Sequence, residues 1–173
     1  MNDRGQAFST FQLLISAVVA LAILVLLLNI MGSLPDFGNR SPSEEAVNLI
    51  KSQINSPAEL RTSGNAVTFK KDDSLNTKSI AANSGVLTQS QICISRGDHE
   101  ETQEFEFPGT EGEILRYNGS QLRVRLSVIC DTGTELESDL GSNGLDSSWL
   151  NNDACQNLVQ LNQTACLIAL RFA

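Results

Sequence analysis

Cysteine offers the most reactive chemistry in this sequence. Four occur, Cys93, Cys130, Cys155 and Cys166, and no two of them stand as Cys-x-x-Cys. That arrangement argues against a zinc knuckle or a dithiol redox pair. An even number of thiols beyond an apolar N-terminal segment instead predicts disulfides formed in an oxidising place. Cys93 and Cys130 lie in apolar, strand-like runs, whereas Cys155 and Cys166 bracket one short segment. The expected bonds are therefore Cys93–Cys130 and Cys155–Cys166. His99, the only histidine, sits in Arg96-Gly97-Asp98-His99-Glu100-Glu101. A general base or a metal ligand needs partners, and only carboxylates adjoin it, so His99 reads as part of a solvated loop. Asp139-Leu140-Gly141-Ser142-Asn143-Gly144 begins like a calcium loop. Its twelfth position is Leu150, where a bidentate Glu is required, and Gly141 replaces a carboxylate. This stretch reads as a flexible acidic loop. No phosphate-cradling glycine loop and no G-x-S-x-G turn is present. The sequence thus predicts no enzyme, metal site or cofactor. Asn118-Gly119-Ser120 and Asn162-Gln163-Thr164 match the glycan-acceptor pattern, as does Asn39-Arg40-Ser41. Asn118 and Asn162 are the better acceptors, because Pro42 directly follows Ser41.

All of these residues follow one apolar stretch. No charged residue occurs between Arg4 and Asp36, and Leu13 to Leu28 is apolar but for Ser16. A helix rises about 1.5 Å per residue, so roughly 20 such residues cross a hydrocarbon core. The stretch is apolar on every face, unlike the amphipathic helices of ordinary domains. A secretory signal peptide places small residues after its apolar core. Here Arg4-Gly5-Gln6 places the small residue before it, and no clear A-x-A-like site follows.

Asp3-Arg4-Gly5-Gln6 with its apolar helix resembles the class III signal peptide of type IV pilin-like proteins, mostly archaeal. The resemblance covers about a fifth of the chain. It implies that a prepilin peptidase cuts between Gly5 and Gln6 and leaves the helix on the mature protein. Many members carry Glu at mature position five, where this chain has Thr10. The resemblance also implies an assembly face on that helix, here Phe8, Phe11, Leu14, Ala17, Val18, Leu21, Val25 and Leu28. Copies of the chain would be its partners in the filament, and the membrane its site before assembly.

Residues 35–63 read as a joint and an amphipathic helix. Pro35, Gly38 and Asn39 are turn residues. Ser41 is placed to cap a helix, Pro42 suits its first position, and Glu44 and Glu45 meet its positive end. Ala46, Leu49, Ile50 and Ile54 recur at helical spacing, and Pro57 or the residues before it stop the helix. From residue 64 the pattern turns to strands: Ala66–Phe69, Ile92–Ile94 within Val86–Ser95, and Glu104–Phe107. A short helix is expected over Lys78–Asn83, ended by Gly85. Ile114–Tyr117 and Leu122–Val128 flank Asn118-Gly119, which predicts a hairpin with a type I′ turn. Asp131–Asp153 reads as a long loop, Ala154–Leu161 as a short helix, and Ala165–Phe172 as a closing strand.

The expected architecture is α+β: a prepilin leader (1–5), a long apolar transmembrane and filament-core helix (6–34), the joint (35–63), and a β-rich, mainly antiparallel extracellular head (64–173). Net charge is −8 and the pI about 4.6, which disfavours nucleic acid as a partner. The expected function is a structural subunit of a type IV pilus-like surface filament, with adhesion as its use. The alternative is a single-pass anchored ectodomain, or a minor pilin, that binds a ligand or partner at the envelope.

Overall fold

A computed structural model of the protein describes residues 12–24 and 41–173. The chain divides into two compact units, Met1–Phe37 and Gly38–Ala173. In the first, residues 12–24 form helix α1. Its run of Leu, Ala, Ile and Val has no Gly or Pro to interrupt it, and Ser16 donates its hydroxyl to the Gln12 carbonyl at 2.8 Å.

The expected architecture needs two corrections. The described helix rises only ~20 Å, against the ~30 Å of a hydrocarbon core. Among the described residues, no helix is long and apolar enough to cross a membrane. The rest of the segment expected as a helix over residues 6–34 lies outside the described residues. The second correction concerns the main sheet, which is mixed: Ile92–Ser95 runs parallel to Thr164–Phe172 while the other pairs are antiparallel.

The second unit begins with α2 (Pro42–Gln53). Its start is a capping box: the Ser41 hydroxyl accepts from the Glu44 amide, and the Glu44 carboxylate accepts from the Ser41 amide. Ala46, Leu49 and Ile50 are buried on the face that packs against the main sheet and the helix Thr77–Ser84. At its far end Gln53 turns inward and donates to the carbonyls of Ser56 and Glu59.

The main sheet contains β1 (Leu60–Thr62), β2 (Val67–Lys70), β4 (Ile92–Ser95), β7 (Gln121–Thr132) and β8 (Thr164–Phe172). β7 is its axis. One edge pairs first with β2, from Lys70↔Gln121 to Val67↔Val124, and then with β1, from Thr62↔Ser127 to Leu60↔Ile129. The other edge pairs with β8, and β4 lies beyond β8. Ala165 to Leu170 are all buried, as a strand covered on both faces requires. Between these strands come β3 (Ser74–Asn76), α3 (Thr77–Ser84), β5 (Phe105–Glu106) and β6 (Ile114–Tyr117). Gly85 ends α3 with φ of 69°, the left-handed geometry glycine accepts most readily.

The predicted hairpin does not form. β6 pairs with β3 and β5 in a separate three-stranded sheet, and β7 belongs to the main one. Neither Asn118 nor Gly119 has the positive φ that a type I′ turn demands. Tertiary contacts outweigh the turn preference. Tyr117 exchanges backbone hydrogen bonds with Asp72 and Asp73, while its hydroxyl donates to Glu104 at 2.9 Å. Gly119 lies against that hydroxyl, where a Cβ would collide.

Two apolar layers enclose the main sheet. Val124, Leu126, Val128, Ile168 and Leu170 face α2, α3 and the second sheet. Ile129, Leu167, Ala169 and Cys93 face α4 (Leu136–Ser142), α5 (Asp153–Leu158) and Trp149. The stretch expected as a long loop is therefore largely structured. Leu136 and Leu140 stand one helical turn apart and both are fully buried, so their burial holds a helix that the Gly, Ser and Asp content conceals.

Candidate functional site

Most of the exposed large apolar residues among the described residues are on α1. Every residue from 12 to 24 is exposed, with Leu13 at 71%, Leu21 at 61% and Val18 at 59%. A soluble domain scatters exposed apolar residues singly rather than along a whole helix. Covering Leu13, Leu14, Ile15, Val18, Val19, Leu21, Ile23 and Leu24 would release, in gross terms, on the order of 10 kcal/mol. Of the expected assembly face, Leu14, Ala17, Val18 and Leu21 are on this helix and exposed. Phe8, Phe11, Val25 and Leu28 fall outside the described residues, as do the processing residues Arg4, Gly5 and Gln6. Ser16, Ala17 and Ala20 leave low points between the leucines, where a second backbone can approach closely.

All four cysteines are bonded, but not in the expected pairs. Cys93 joins Cys155, and Cys130 joins Cys166. The reason is strand order. β8 lies between β7 and β4, so Cys130 stands directly across from Cys166, with Cα atoms 4.2 Å apart. A Cys93–Cys130 bond would have to span two strand spacings, roughly 9.5 Å, beyond the ~7 Å a disulfide reaches. Cys93 points to the opposite face of the sheet, where α5 presents Cys155 with Cα atoms 5.2 Å away. Bonds of this kind persist in oxidising compartments.

His99 is buried, not solvated as the sequence suggested. It is 5% exposed, its ring lies 4.6 Å from that of Phe172 and 5.9 Å from that of Phe105, and its Nε2 has no partner. Gly97 makes this possible. With φ of 54° it brings the tight turn Gly97–His99 against Leu170, closer than any Cβ would allow. Asn118 and Asn162 are both exposed.

The head separates its charges. Arg123 and Arg125 project from β7 on one side, and Arg125 stands directly opposite Arg171 of β8. Arg171 is held by Asp98 at 3.3 Å and lies over the Trp149 ring. At the far end of β7, burial and the adjacent Asp131, then Glu135, raise the Asp139 carboxyl above the usual aspartate range. Burial, followed by the hydrogen bond and charge of Glu104, pushes Tyr117 up to about 12. Among the described residues, no group of three or more His, Cys, Asp or Glu could hold a metal ion.

No protein-family model matches the chain, and no curated protein or solved structure matches it either.

Proposed function

We propose that this chain is a structural subunit of a type IV pilus-like cell-surface filament. Its apolar N-terminal segment is held in the membrane before assembly and then packs against copies of itself, with the disulfide-bonded head outside. A prepilin peptidase processes it between Gly5 and Gln6. Its work is mechanical and adhesive rather than catalytic.

One observation carries the reading: α1 exposes apolar side chains on every face, while the second unit buries a complete core of its own. The order Arg4-Gly5-Gln6 ahead of the apolar run, and the two disulfides, support it. Ala17→Leu with Ala20→Leu tests it in cells that make the protein. The pair adds apolar bulk, so membrane association should persist. Filaments seen by electron microscopy should fall about tenfold or more, because larger side chains overfill a close-packed helix interface. Intact mass should place the mature N-terminus at Gln6. Wild-type protein that begins at Met1 and forms no filaments would instead make it an anchored ectodomain.

A further inference from the structure

The outer surface of the main sheet is covered along only half of its length. Around Ile129, Leu167 and Ala169 it lies beneath α4, α5 and Trp149. Toward the start of β7, Gln121, Arg123 and Arg125 project outward on the same face, flanked by Thr68, Lys70 and Thr62 of β2 and β1. All but the half-buried Thr68 are exposed. A shallow open cleft of about 430 Å³ lies here, between Thr62, Asp98, Arg125, Arg171 and Phe172. Asp98 takes up Arg171, and Glu100 and Glu101 line the neighbouring cleft beyond Phe172. Asp73 accepts from the Lys70 backbone amide at 2.8 Å, but among the described residues no carboxylate lies within ion-pair distance of the side-chain cations of Lys70, Arg123 or Arg125. The cations of β7 and β8 also stand in register, Arg125 opposite Arg171, an arrangement that repels.

The same strand ends in the opposite sign. Asp131 lies six residues beyond Arg125 on the same face, ~20 Å away along the strand. Glu135, Glu137 and Asp139 follow at the start of α4, and none of these carboxylates has a cation within ion-pair distance among the described residues. Each end of β7 therefore holds like charges that repel in the isolated head. An oppositely charged surface relieves both, and in a chain of net charge −8 another copy supplies one readily. A contact between two different patches of the same molecule is head-to-tail, and unless its rotation closes a ring it propagates as a helical array.

We propose that the head docks head-to-tail on a second copy of this chain, the Lys70–Arg123–Arg125 end of one sheet meeting the Asp131–Glu135–Glu137–Asp139 end of the next. This rests on the filament reading and names the contact that sets the order of the heads.

The test uses the full chain in detergent, with sedimentation velocity at roughly 50 mM and roughly 500 mM salt. Wild-type protein should self-associate in low salt and dissociate in high salt. Arg123→Glu with Arg125→Glu, and separately Glu135→Lys with Glu137→Lys, should each weaken association about tenfold or more. The milder Arg123→Gln with Arg125→Gln should fall between, and an unchanged melting temperature confirms that each variant folds. The decisive arm is rescue: a chain carrying both reversals, or an equimolar mixture of the two reversed proteins, should associate like wild type. Association indifferent to all the reversals, or two weakened variants without rescue, overturns the proposal. So does a wild-type head that binds an anionic polysaccharide through Arg123 and Arg125 while self-association is untouched. Filaments that persist in the reversed variants defeat the docking alone. Charge-dependent association in a protein that makes no filaments defeats the filament reading alone.

Discussion

β8 and α1 are close in composition and opposite in fate. Ala165-Cys166-Leu167-Ile168-Ala169-Leu170 and Leu21-Ala22-Ile23-Leu24 draw on nearly the same residue types. Every side chain of the first stretch is at most 1% exposed, whereas Leu21, Ile23 and Leu24 are all more than 50% exposed. The difference lies in what surrounds them. β8 has hydrogen-bonding neighbours on both edges and an apolar layer on both faces. The described part of α1 satisfies its own backbone and leaves its apolar side chains exposed. Apolar sequence therefore states a demand for burial without saying what meets it.

The largest test of this contrast removes a covalent tie within the head. Cys93→Ala with Cys155→Ala opens a bond across 62 residues, which on the chain-entropy model costs about 4 kcal/mol. Denaturant unfolding should show a loss of that size. An equal stability for the double variant would mean that α5 and β4 hold together without it.

A smaller effect compares the two stretches directly. Leu170→Ala in β8 should destabilise the head by about 3 kcal/mol, as for other fully buried leucines. Leu21→Ala in α1 should leave the head's unfolding within about 0.5 kcal/mol of wild type. If Leu21→Ala lowered the melting temperature as far as Leu170→Ala, the contrast would fail.

The smallest effect is electrostatic. Asp139 is held above the usual aspartate range, so the stability it contributes is present below the ordinary value and lost as pH rises through the raised one. At neutral pH its ionisation is a cost. Asp139→Asn should raise stability there by about 0.5 kcal/mol, and the gain should vanish in acid. Thermal melts at both pH values would show it, and a variant less stable at neutral pH would mean that the carboxylate has a favourable partner.

What could be read from the amino-acid sequence alone is whatever depends on neighbours along the chain. Ser41, Pro42 and Glu44 specify the start of α2 within one turn, and Gly85 specifies the end of α3. The apolar run of residues 165–172 likewise announces β8. Three other features were set by residues far apart in the chain. The insertion of β8 between β7 and β4 decided which cysteines meet. The claim of β3 and β5 on β6 overrode the Asn118-Gly119 turn signal. The close approach of Gly97 to Leu170 carried His99 out of solvent. Periodicity and capping act over one or two turns of chain, so sequence expresses them directly. Strand order, disulfide partners and the separation of charge along β7 depend on which distant segments pack together, and only the folded chain determines that.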